Sequence, residues 1–73
     1  MGMSDPTMYV IAVRGTVEQA WSARLGGLAI ATHEAPAGAS SVLAGVLADQ
    51  ATLRAVLQTL HDLGLPLRSV TSL

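Results

Sequence analysis

The chain of 73 residues has no cysteine, no phenylalanine, no asparagine and no lysine, and only 12% of it is charged. Each absence removes a class of function. Without cysteine there are no disulfides, thiolate metal sites, iron–sulfur clusters or cysteine nucleophiles, and a reducing, cytoplasmic setting is expected. The four basic residues, Arg14, Arg24, Arg54 and Arg68, are scattered, and the formal net charge is −1. No basic stripe exists for nucleic acid, so no nucleic-acid partner is expected. The apolar runs fall well short of the roughly 18 residues that cross a bilayer, and no basic segment followed by an apolar one marks an export signal. No membrane association is expected.

What is present is apolar and small. A single domain of this length buries a modest fraction of its surface. With disulfides excluded, oligomerisation is the remaining way to add stability. The opening Met1-Gly2-Met3-Ser4-Asp5-Pro6 carries proline where an acylation start needs Ser or Thr. Residues 1–6 are therefore expected to be a loose tail, with Met3 as a natural start, and residues 7–73 one domain.

The clearest element lies at Asp49 to Leu67. Asp49 is placed to cap a helix, and Leu53, Val56, Leu57, Leu60 and Leu63 recur at spacings of three and four, on one face. Gly64 is a left-handed stop and Pro66 prevents resumption. Upstream, Thr7–Arg14 is rich in β-branched and aromatic residues and reads as a strand ending at Gly15. Thr16 and Gln19 have the spacing of a capping box, predicting a helix from Val17 to Leu25 with Val17, Ala20, Trp21 and Leu25 inward. Gly26-Gly27 ends it. Leu28–His33 and Ser41–Ala48 read as a strand pair around a loop from Glu34 to Ser40. Gly45 marks a bulge or a close approach of another backbone. Leu67–Leu73 is a last short strand. A three-helix alternative fails because Thr7–Val13 and Ser41–Ala48 lack helical caps.

The order β-α-β-β-α-β predicts an α+β ferredoxin-like sandwich, a four-stranded antiparallel sheet with two helices on one face. Tyr9, Ile11, Val13, Leu28, Ile30, Leu43 and Leu47 are expected to point toward the helices. Val10, Ala12, Ala29, Ala31, Val42, Ala44 and Val46 would then line the open face. That set is unusually apolar for a face meant for water, and contiguous apolar surface marks interaction sites. The expected function is a small non-enzymatic protein that self-associates, as a homodimer, or docks on a protein partner through this face or the sheet edge.

Other functions on this topology are tested at their own residues. RNA recognition needs exposed aromatics on central strands, and Ser41–Ala48 has none. Heavy-metal carriers and ferredoxins of this shape need cysteines. Val13-Arg14-Gly15-Thr16-Val17-Glu18-Gln19 faintly resembles the phosphate-cradling loop of acylphosphatases. That resemblance implies an arginine just inside the helix, where Trp21 and Ser22 stand, and a later asparagine, which is missing. Gly15 resembles the glycine of the first loop in ACT domains, which bind amino acids and regulate enzymes. Gly15 and Thr16 are thus a candidate ligand site for a second reading, an ACT-like regulatory domain. A third, a small enzyme, would rest on the polar pairs His33-Glu34 and His61-Asp62. No cofactor and no metal is expected, since metal binding would need the two pairs to converge. Trp21 and Tyr9 are expected in the core, as the largest volumes in a chain without phenylalanine.

From Tyr9 to Val70 the chain resembles a family of short bacterial proteins without an established activity, sharing the pattern DQAxL, a leucine-rich helix, then DLGLxLxSV. The residues that carry it are Asp49, Gln50, Leu53, Asp62, Leu63, Gly64, Leu65, Ser69 and Val70. Caps, core and turns account for most of these; Gln50 is the least explained.

Overall fold

A computed structural model describes residues 6–73. Of the expected tail, residues 1–5 lie outside the described residues. The elements are β1 (Thr7–Arg14), a 3-10 helix (Gln19–Leu25), β2 (Ala29–Ala35), β3 (Gly38–Leu47), α1 (Gln50–Asp62) and β4 (Leu67–Ser72). The strands form one antiparallel sheet in the order β2-β3-β1-β4. The fold is therefore α+β, an open four-stranded antiparallel sheet with two helices.

The core follows from strand alternation. Tyr9, Ile11 and Val13 of β1 and Leu43 and Leu47 of β3 are buried on one face, joined by Leu28 and Ile30. Val17 from the connection after β1, Leu25 from the 3-10 helix, and Leu53, Val56 and Leu60 from α1 close over them. Burying such side chains contributes about 1.5–3 kcal/mol each, more than helix propensity supplies. The expected helix face is bounded more narrowly than its spacing suggested: Leu57 is only half-buried and Leu63 is exposed. On β4, Leu67 and Val70 stand opposite Val13 and Ile11 yet remain exposed.

Both ends of α1 are closed by the residues expected to close them. Asp49 accepts from the Thr52 N–H at 2.8 Å. At the other end Gly64 has φ +77°, its N–H reaches the His61 carbonyl and the Leu65 N–H reaches the Leu60 carbonyl. That pair of bonds is the Schellman arrangement, which a residue without Cβ adopts freely.

The first helix departs from expectation. It is a 3-10 helix that starts at Gln19, and its N-cap is Glu18 with no side-chain capping bond, so Thr16 and Gln19 form no capping box. The Gln19 amide that would have closed the box is engaged elsewhere, and the Val17 N–H beside it is taken by β3. The Val17 N–H donates to Ser41 Oγ at 3.1 Å and Gln19 Nε2 donates to the Ile30 carbonyl at 2.7 Å. Val17 is buried in the connection that precedes the helix. Ala20 is exposed and Trp21 half-buried, so the expected inward face is held by Val17 and Leu25.

The hairpin is tighter than expected. The ladder of β2 and β3 runs to Ala35 opposite Gly38, so the expected loop from Glu34 to Ser40 is a two-residue turn, Pro36-Ala37. The small side chains of Ala39 and Ser40 pair like any strand residue once Pro36 fixes φ at the first turn position. Gly45 makes no bulge against β1. A Cβ there would lie 2.9 Å from Leu28 Cδ2 and 3.6 Å from the Leu28 Cα, so it is the Leu28 side chain, rather than another backbone, that approaches most closely.

Candidate functional site

The strand register assembles the open face from rows of directly opposed residues. One row reads Ala29, Ala44, Val10, Thr71 across all four strands, and the next reads Ala31, Val42, Ala12, Ser69. Val46 and Met8 form a partial row at one end. Opposed side chains in a sheet have Cβ atoms about 4.5–5.5 Å apart, so each row is continuous. All seven residues expected on this face share it. Ala29, Ala31, Val42 and Val46 are exposed, Val46 by 60%, while Val10, Ala12 and Ala44 are half-buried by their neighbours.

No charge interrupts the two full rows. Charged residues enter only at the far end, where His33, Ser40 and Arg14 make the fourth row. Because alanine and valine dominate, the surface is low in relief, which suits face-to-face packing of sheets about 10 Å apart. Met8 belongs to the face and was missed by reading the sequence; its even spacing with Val10 and Ala12 was the available signal. A smaller apolar cleft, about 170 Å³, lies on the helix side between α1 and β4, lined by Leu57, Leu60, Leu65 and Leu67 among others.

Gly15 and Thr16 sit beside a cleft of about 250 Å³ lined by Thr16, Val17, Glu18, Trp21, Leu63 and Leu65. Two of the backbone donors that an anion would need there are already engaged. The Gly15 N–H bonds the Ala39 carbonyl and the Val17 N–H bonds Ser41. The Gly15 conformation, φ +104°, goes with close packing, since a Cβ would lie 2.7 Å from Leu65 Cδ2. Packing accounts for that glycine without a ligand.

Ser41 was missed altogether as a structural centre. It is fully buried; its hydroxyl accepts from the Val17 N–H, bonds the Gly15 carbonyl at 2.8 Å and lies 3.1 Å from Thr32 Oγ1. The serine at an inward position of an otherwise apolar strand was the signal.

The polar pairs do not converge. His33 lies on the open face, whereas His61 is in the last turn of α1 on the opposite side. Asp62 accepts from Gln58 Nε2 at 2.9 Å. Among the described residues no three His, Asp or Glu side chains gather as a metal site. Gln50 finds its explanation here: its Nε2 donates to the Tyr9 hydroxyl at 2.9 Å. Among the described residues no helix is long and apolar enough to cross a membrane.

No curated protein and no solved structure matches the chain. A family described as a domain of unknown function, DUF8691, matches residues 8–71, from the second residue of β1 to the penultimate residue of β4. The chain belongs to that family.

Proposed function

We propose that the protein is a non-enzymatic self-association module whose second copy packs on the open face of the sheet. The observation that carries this reading is the pair of uncharged rows, Ala29-Ala44-Val10-Thr71 and Ala31-Val42-Ala12-Ser69. An antiparallel sheet with one face in water ordinarily alternates polar residues onto that face. Here the outward positions of β1, from Met8 to Ala12, and of β3, from Val42 to Val46, are all apolar. A two-fold pairing would set the same patch against itself, the commonest closed arrangement of homo-oligomers. It would also add apolar burial to a domain too small to bury much alone.

The finer fold description belongs to the same reading. A ferredoxin-like sandwich is supported by the central placement of β1 and β3, the edge positions of β2 and β4, and the helical segments after β1 and β3. The short 3-10 helix is the main departure from it. A bacterial, cytoplasmic protein is the setting that the DQAxL and DLGLxLxSV pattern and the lack of cysteine support. The experiment is sedimentation equilibrium of the wild type beside Ala44→Glu and Val42→Glu, which place a charge in the rows. Loss of association with retained folding is the expected result.

A further inference from the structure

At the far end of the open face the rows turn basic. Arg14 of β1, Ser40 of β3 and His33 of β2 are consecutive neighbours across the sheet. Arg68 of β4 joins them through a backbone irregularity. In the β1–β4 ladder Ala12 is opposite Ser69 but Val13 is opposite Leu67, which leaves Arg68 as an extra residue. Without that bulge, alternation would set Arg68 opposite buried Val13 and turn Leu67 toward Arg14. With it, Leu67 takes the inward place and Arg68 lines the same cleft as Arg14 and His33. Bulges re-aim side chains in this way.

The cleft has a volume of about 310 Å³, and the Gly38–Ala39 backbone of the hairpin forms another wall. No carboxylate lines it. Glu34, next to His33, alternates to the other face of β2, opposite Ala39. Among the described residues neither Arg14 nor Arg68 has an ion-pair partner. Two guanidinium forks on different strands, an imidazole and a hydroxyl therefore share one concave site in a chain whose overall charge is slightly negative. Guanidinium groups recognise tetrahedral oxyanions with two parallel hydrogen bonds each. A singly charged carboxylate has too few oxygens to engage both forks together with Ser40 and His33.

We propose that Arg14, His33, Ser40 and Arg68 form a binding site for a phosphate group, free or carried as a monoester on a small molecule.

The test is a titration of the isotopically labelled protein with inorganic phosphate at constant ionic strength, followed by amide shifts. Saturable shifts at Gly38, Ala39 and Ser40 are expected. Arg14→Gln and Arg68→Gln should each weaken binding by roughly ten- to a hundredfold, the scale of one charge-assisted hydrogen bond. Arg54→Gln, which removes the same charge from the exposed side of α1, should leave it unchanged. Acetate should bind more weakly than phosphate by about tenfold or more. Methyl phosphate binding as well as inorganic phosphate assigns the site to a monoester, and weaker binding assigns it to the free ion. Shifts that do not saturate or that avoid the hairpin would overturn the site in the wild type itself, whatever the variants do. Equal losses in Arg54→Gln, or acetate binding as tightly as phosphate, would also overturn it.

Discussion

Gln50 Nε2 donates a 2.9 Å hydrogen bond to the hydroxyl of Tyr9, tying the first residue of α1 to the start of β1 across 41 positions of sequence. The Tyr9 ring is buried in the core while its hydroxyl reaches the edge, where Gln50 meets it. The bond fixes where α1 begins on the sheet, and it gives a physical role to the one residue of the DQAxL pattern that capping and packing leave unexplained.

A double-mutant cycle measures that link. Gln50→Ala and Tyr9→Phe should each destabilise the domain, and their coupling in denaturant unfolding should be about 0.5–1.5 kcal/mol, the net value of one such bond. Additive effects would mean that the bond between them contributes nothing to stability.

Ser41→Ala should be more costly than its size suggests. It leaves the Val17 N–H, the Gly15 carbonyl and Thr32 Oγ1 without the hydroxyl they share at a fully buried position. An orphaned buried donor costs about 1–3 kcal/mol. In a domain with only a few kcal/mol of total stability, the midpoint of thermal unfolding should fall clearly. A variant as stable as the wild type would contradict the role assigned to the hydroxyl.

The Asp49 cap makes stability depend on acid. The backbone N–H of Thr52, and then its hydroxyl, hold the Asp49 carboxyl below its ordinary value of 3.8. A lowered folded-state pKa contributes stability that is fully present above the unfolded value and is lost as pH falls through the folded one. Wild type should therefore exceed Asp49→Ala in stability at neutral pH, and the gap should close as pH falls below about 4. Thermal melts of both across that range provide the check; a gap independent of pH would contradict the carboxylate cap.

Much of the fold was legible because it rests on local rules. Asp49, the leucine spacing and Gly64 carried α1 to within a residue of its observed ends. Alternation placed Tyr9, Ile11, Val13, Leu43 and Leu47 inward and the seven small apolar residues outward. What was not legible depends on contacts between distant segments. Thr16 and Gln19 have capping-box spacing, but the Ile30 carbonyl, fixed by strand pairing, takes the Gln19 amide that would have closed the box. Arg14, His33 and Arg68 are far apart in sequence and come together only through the register of four strands and the bulge at Arg68. Leu57 has core spacing, yet the packing leaves it half-buried.

Sedimentation equilibrium over a wide concentration range tests the central claim most directly. The wild type should sediment as a reversible dimer, at twice the 7.5 kDa chain mass, while Ala44→Glu and Val42→Glu should remain monomeric with helical circular dichroism intact. A wild type that is monomeric at every concentration, or folded variants that associate as tightly as the wild type, would contradict pairing through the open face of the sheet.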